Sequence, residues 1–150
     1  MPNRRVHSIA GAAAGGTAAF LLARDQGAPL QLVEALGGVI GGVVGGRLPD
    51  LIEPALHPWH RSVAHALVPA GLAGATVAPR LPGAQQPVRQ WADRCRARRD
   101  AAASTLERLL WWLAEMACRL AAGAIPGAAA GYASHLLLDA GTPMGLPLIA

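Results

Sequence analysis

The 150-residue chain contains no lysine, a single phenylalanine, a single tyrosine and two cysteines. Without lysine, all thirteen of its cationic side chains are arginine, permanently charged and fork-shaped. Cys95 and Cys118 stand far apart with no Cys-x-x-Cys pair, which excludes a zinc ribbon and a disulfide framework. Charged residues make up 15% of the chain, against about 25% in an average globular domain, which makes it unusually apolar. Sustained period-two alternation is missing and β-branched residues are few, which argues against a sheet fold. The run GGVIGGVVGG (residues 37–46) lacks both the Lys-Ser/Thr ending and the preceding strand of a phosphate loop, so a nucleotide site is not expected there.

What the chain does have is aliphatic bulk, 53% hydrophobic overall, concentrated in residues 8–23, 30–46, 62–78 and 101–140. Leu106, Leu109, Leu110, Leu113, Met116 and Leu120 recur at helical spacing, and Pro126 is expected to kink or break that last segment. The glycine pairs of residues 37–46, echoed by Gly11, Gly15 and Gly16, lay small-residue strips along helix faces. Such strips cost helix stability in water but let backbones approach closely in a bilayer or a tight bundle. The expectation is a single all-α domain, an up-and-down bundle of about four Gly/Ala-rich helices. Membrane embedding is expected, although the stretches are at the short end for spanning and buried bundle helices fit the same lengths. The glycine faces also offer a route to homo-oligomers. Arg4 and Arg5 before an apolar run imitate a signal peptide, but His7 lies within that start and is assigned to the site, so the segment is expected to be retained.

Residues 80–100 hold six arginines against two aspartates and read as a connecting segment, a solvated or lipid-headgroup-facing loop. No aromatic-rich strand pattern accompanies them, so nucleic acid is not an expected partner. If the His7 end of the bundle were cytoplasmic, this segment would lie outside, against the positive-inside tendency, and the reverse orientation would put the site outside. A peripheral or partly inserted bundle removes that conflict.

The scarce ligating side chains are not spread evenly. Asp50, Glu53, His57, His60 and His65 crowd into the stretch LPDLIEPALHPWHRSVAHAL, although the chain has only five histidines and nine acids. In an up-and-down bundle, the start of the first helix, the end of the second, the start of the third and the end of the fourth share one pole. His7, the 50–65 cluster, and His135 with Asp139 occupy those places. His135 and Asp139 are four apart and face the same way, as are Glu53 and His57. Singly, each residue has an ordinary reading: a histidine beside proline in a loop, an aspartate as helix cap, Arg61 as a solvated cation. Jointly they point to a metal site. Five histidines and three carboxylates exceed one four-coordinate zinc, so either two metals bind or some of these residues act as supporting ligands, general base or substrate contacts.

The first stretch, together with GYASHLLLDAGTPMGLPLI (residues 131–149), resembles the bacterial and phage inner-membrane metal-dependent hydrolases, the LexA-regulated membrane-bound hydrolase-like family. The pattern is an N-terminal His (His7), Pro49-Asp50, His60-Arg61 with His65, Ser134-His135 through Asp139, and Thr142-Pro143-Met144-Gly145. Many members read Pro-Asp-x-Asp-His where this chain has Ile52 and Glu53, and Ala66 follows His65 where Ser is usual. The resemblance implies hydrolysis of an ester or phosphoester, with a lipid as one candidate substrate, at the inner membrane. It implies one divalent ion, zinc or manganese, on Asp50, His65, His135 and Asp139, with His7, His57, Glu53 or His60 completing the shell or a second site. Glu53 is then the proton acceptor, His60 a further catalytic group, and Arg61 the stabiliser of developing negative charge. Two other classes stay open: a non-enzymatic membrane protein whose metal clamps helix ends, and a partner-binding module using residues 80–100.

Overall fold

The computed structural model describes residues 4–52 and 77–140. Nearly all of these are helical and none is in a strand. Among the described residues four helices are long, α1 (Arg4–Leu22), α2 (Ala28–Gly45), α4 (Leu81–Ala101) and α5 (Thr105–Ala140), with a short α3 (Leu48–Ile52) and a 3-10 turn, Ala78–Arg80. Gly27, at φ 80°, makes the turn into α2, and Pro29 sits in its first turn where no N–H is needed. The Ser104 hydroxyl accepts the Glu107 amide at 3.1 Å, capping the start of α5.

Helices α1, α2 and α5 form a sheaf whose contacts are mostly backbone on backbone. Gly11 lies against Gly42 and Gly15 against Gly38, so α1 and α2 are antiparallel. Gly37, Gly41 and Gly45 lie in turn against Leu120, Ala124 and Ala128, so α2 and α5 run parallel. A Cβ at Gly41 would collide with the Ala124 carbonyl, which is why this interface is built of glycine. These glycine strips pack against one another within the single chain. The buried apolar side chains among the described residues are small (Ala19, Ala23, Ala92, Cys95, Ala102, Ala122), Leu136 being the largest. The large ones point outward: Ile9 is 70% exposed, Leu36 60% and Leu51 71%.

One sequence expectation is corrected by the fold, and another falls mostly outside the described residues. Residues 80–100 do not form a loop: α4 occupies them, antiparallel to α5. Its Ala, Gln and Arg are good helix formers, and Val88, Ala92 and Cys95 recur at helical spacing. Counting charge obscured that period. The last helix is long, as expected, and runs unbroken through Pro126 from Thr105 to Ala140. Proline removes the amide that would have bonded the Ala122 carbonyl one turn back. Gln85 of α4 replaces it, donating its Nε2 to Ala122 O at 3.0 Å, with its side chain fully buried. Replacing Gln85 with leucine should lower stability by about 1–3 kcal/mol, because that carbonyl then stays buried without a donor. Chemical denaturation of the two proteins side by side checks it. The third expected helix, residues 62–78, lies almost wholly outside the described residues.

A buried ionic network ties α4 to the sheaf. Glu34, the lone acid of α2, is fully buried and receives Arg89 through Nε (3.1 Å) and Nη2 (2.6 Å). Arg119, 1% exposed, reaches Glu34 at 3.5 Å and Gln26 at 2.7 Å, and also pairs with Asp93. One layer further along, Glu115 takes Arg96 and Arg99, each at 2.8 Å. Half of the arginines in the 80–100 segment thus serve the protein interior or its border. Spare Arg89 N–H capacity goes to the Leu22 carbonyl at the end of α1, at 3.1 Å.

Candidate metal centre

The parallel and antiparallel order of the sheaf places the first turn of α1, the end of α2, α3 and the last turns of α5 at one pole. His7 enters from α1, Asp50 from α3, and His135 and Asp139 from α5. His7, His135 and Asp139 are almost entirely buried (3%, 0% and 2% exposed), whereas the Asp50 side chain keeps 33% of its surface. The imidazoles of His7 and His135 stack, with centroids 3.8 Å apart and planes 23° from parallel.

One backbone contact fixes the chemistry of His135. Its Nδ1 lies 2.8 Å from the carbonyl oxygen of Gly46, the residue that ends α2. A carbonyl only accepts, so Nδ1 carries the hydrogen and, in the neutral ring, the Nε2 lone pair faces the cluster. Gly46 is itself fitted to the place, since a Cβ there would meet the His7 carbonyl at 2.7 Å. His135 Nε2 lies 3.6 Å from Asp139 Oδ2 and 3.7 Å from Asp50 Oδ1, and His7 Nε2 lies 3.5 Å from Asp139 Oδ1. Those separations exceed ordinary N–H···O hydrogen bonds. They are close to the edge, about 3.3 Å, of a tetrahedron of N and O ligands at zinc-bond lengths of about 2.0–2.1 Å. Ligand atoms of His7, His135 and Asp139 all fall within 4.8 Å of one another. Two nitrogens, two carboxylates and an anchored second ring nitrogen suit a divalent ion of borderline softness.

Four of the residues singled out in the sequence are therefore brought together: His7, Asp50, His135 and Asp139. Glu53, His57, His60, Arg61 and His65 lie outside the described residues. Sequence reasoning did not find the Gly46 carbonyl, whose only signal was its position at the end of a helix. It also passed over Glu34, although a single acid in an apolar stretch was a sign of a buried partner elsewhere.

Comparison with protein-family models, with curated proteins and with solved structures finds no match to this chain.

Proposed function

We propose that this chain is a membrane-bound metal-dependent hydrolase acting on an ester or phosphoester. The observation that carries the reading is the convergence of His7, Asp50, His135 and Asp139 from three helices, with ligand atoms of His7, His135 and Asp139 all within 4.8 Å of one another. In this reading His7, His135 and Asp139, with Asp50 beside them, would hold one divalent ion. Such an ion would lower the pKa of a bound water to about 7 and polarise the scissile group. The Gly46 carbonyl keeps the His135 ring oriented. Glu53, His60 and Arg61, which follow α3 in the chain, are the further groups proposed for proton transfer and charge stabilisation.

Membrane attachment is supported by the outward-facing aliphatic side chains and by the stretch Ala28–Ile52. Its 25 residues are long and apolar enough to cross a bilayer, the single such stretch among the described residues. The bacterial inner membrane is the proposed location, by the resemblance drawn from the sequence. The deep burial of three of the four site residues favours a second reading, a structural metal that clamps the helix ends. Elemental analysis of purified protein supplied with zinc or manganese, beside Asp139→Asn, tests both. One ion per wild-type chain, lost in the variant, is expected; none in the wild type ends the metal reading. Chelation that stops turnover of an ester panel and leaves the helical signal intact supports the enzyme, and loss of helix without any turnover supports the clamp.

A further inference from the structure

Cys95 and Cys118, distant in sequence, face each other across the hairpin of α4 and α5. The ion pairs of the hairpin set its register: Asp93 meets Arg119 on one side, and Arg96 and Arg99 meet Glu115 at 2.8 Å on the other. Between antiparallel helices that register puts position 95 opposite position 118. Periodicity agrees. Cys95 follows Ala92 by three residues on the buried stripe of α4, and Cys118 stands three beyond Glu115 and four before Ala122 on the stripe of α5 that meets it. Ala92 and Ala122 are fully buried, and such small side chains let the helix axes come toward the short end, about 8 Å, of the usual packing distance. With each Cα about 2.3 Å from its axis, facing positions come within reach of the roughly 5.5–6 Å that a disulfide spans between Cα atoms. Both thiols are free, Cys95 buried and Cys118 half-buried. Burial first, and then the neighbouring Cys95 sulfur, which shares a hydrogen bond with it, push the Cys118 thiol above its usual range, so it rests protonated at neutral pH.

We infer that Cys95 and Cys118 form a reversible disulfide site, oxidised by thiol–disulfide exchange with a small anionic disulfide. The reagent has a way in, because Cys95 borders a groove that it shares with Trp91, Arg94, Arg98 and Trp111. Arg94 lies over the Trp91 ring at 5.4 Å and Arg98 over the Trp111 ring at 4.8 Å, so the groove is positively charged and suits a disulfide that carries carboxylates. In the first step Cys95, as thiolate, attacks one sulfur of the small disulfide. That S–S bond breaks, a mixed disulfide forms on Cys95, and one small thiol leaves with the proton that Cys95 gave up. Cys118, already opposite, then gives up its proton and attacks the Cys95 sulfur, and the second small thiol leaves with that proton. The protein loses two electrons and two hydrogens, and the small disulfide becomes two thiols. The bridge then ties α4 to α5 between the Glu115 and Arg119 ion pairs. Since the hairpin is packed without it, the bridge is a modification and not a scaffold. The inference is independent of the metal centre and of the membrane reading.

The test takes the full chain, purified under reductant, and equilibrates it without denaturant against oxidised glutathione. Intact mass after alkylation and the melting temperature are then read together. The expected product is a monomer lighter by two hydrogen atoms, with neither cysteine open to alkylation, and a phosphine reductant restores both thiols. Its melting point should rise by about 5–15 °C, because the cross-link restricts the unfolded chain. Neither Cys95→Ser nor Cys118→Ser should show the rise, and Cys118→Ser should stop at one glutathione per chain. Glutathione adducts on the wild type that never close to the internal bridge overturn the inference. So do thiols that stay reduced until the chain is unfolded, a bridge found only between two chains, or a melting point that rises equally in a serine variant.

Discussion

Replacing His135 with asparagine is expected to abolish divalent-metal binding while leaving the bundle folded, and replacing it with alanine to abolish binding and loosen the fold together. The imidazole does two jobs on two atoms: Nδ1 holds the Gly46 carbonyl at 2.8 Å, and Nε2 faces Asp50 and Asp139. Asparagine keeps a donor near the Nδ1 position and has nothing at Nε2. Losing a supporting contact around a metal costs about 10–100-fold in affinity, so losing a ligand itself should cost at least about 100-fold. Thermal unfolding reads both effects. Zinc at about 100 times its dissociation constant stabilises the folded chain by about 2.7 kcal/mol, which raises the melting point of a chain this long by about 5–10 °C. Neither variant should show that rise, and only the alanine variant should melt lower without zinc. A zinc response in His135→Asn equal to that of the wild type would remove His135 from the centre, and with it the reading of the whole cluster.

The second large effect lies at the other end of the sheaf. Glu34→Ala should destabilise the chain by about 3–5 kcal/mol, because Arg89 and Arg119 are left charged, buried and short of their shared carboxylate. That is a large part of the roughly 5–15 kcal/mol that holds an ordinary domain together. Arg89→Lys should recover little of the wild-type behaviour, since an ammonium cannot reproduce two bonds to Glu34 and a third to the Leu22 carbonyl. The double variant Glu34→Leu/Arg89→Met removes both charges and should regain most of the loss, with Arg119 still served by Gln26 and Asp93. Denaturant unfolding of the three variants measures this. A cost below about 1 kcal/mol for Glu34→Ala would mean that water reaches the pair and the network is a surface feature.

The legible parts of this protein were those set by local rules. Apolar stretches with period near 3.6 and almost no alternation gave α1, α2 and α5 to within a few residues, and paired glycines announced close helix contacts. Four-residue spacing put His135 and Asp139 on one face. What misled was composition used in place of period: six arginines suggested a loop where α4 stands.

By itself the sequence determined the helical class, the small-residue contact strips and the pole at which His7, Asp50, His135 and Asp139 gather, because each follows from spacing along the chain and from alternating helix direction. Only the tertiary structure decided that Glu34 is an ion-pair partner of Arg89 fifty-five positions away. It alone stacked His7 on His135, turned the Gly46 carbonyl onto Nδ1, and matched each glycine strip to its neighbour. Those are pairings between distant segments. Helix periodicity fixes which way a side chain faces, but which surface it meets depends on how whole helices pack, and that is settled by every contact in the bundle at once.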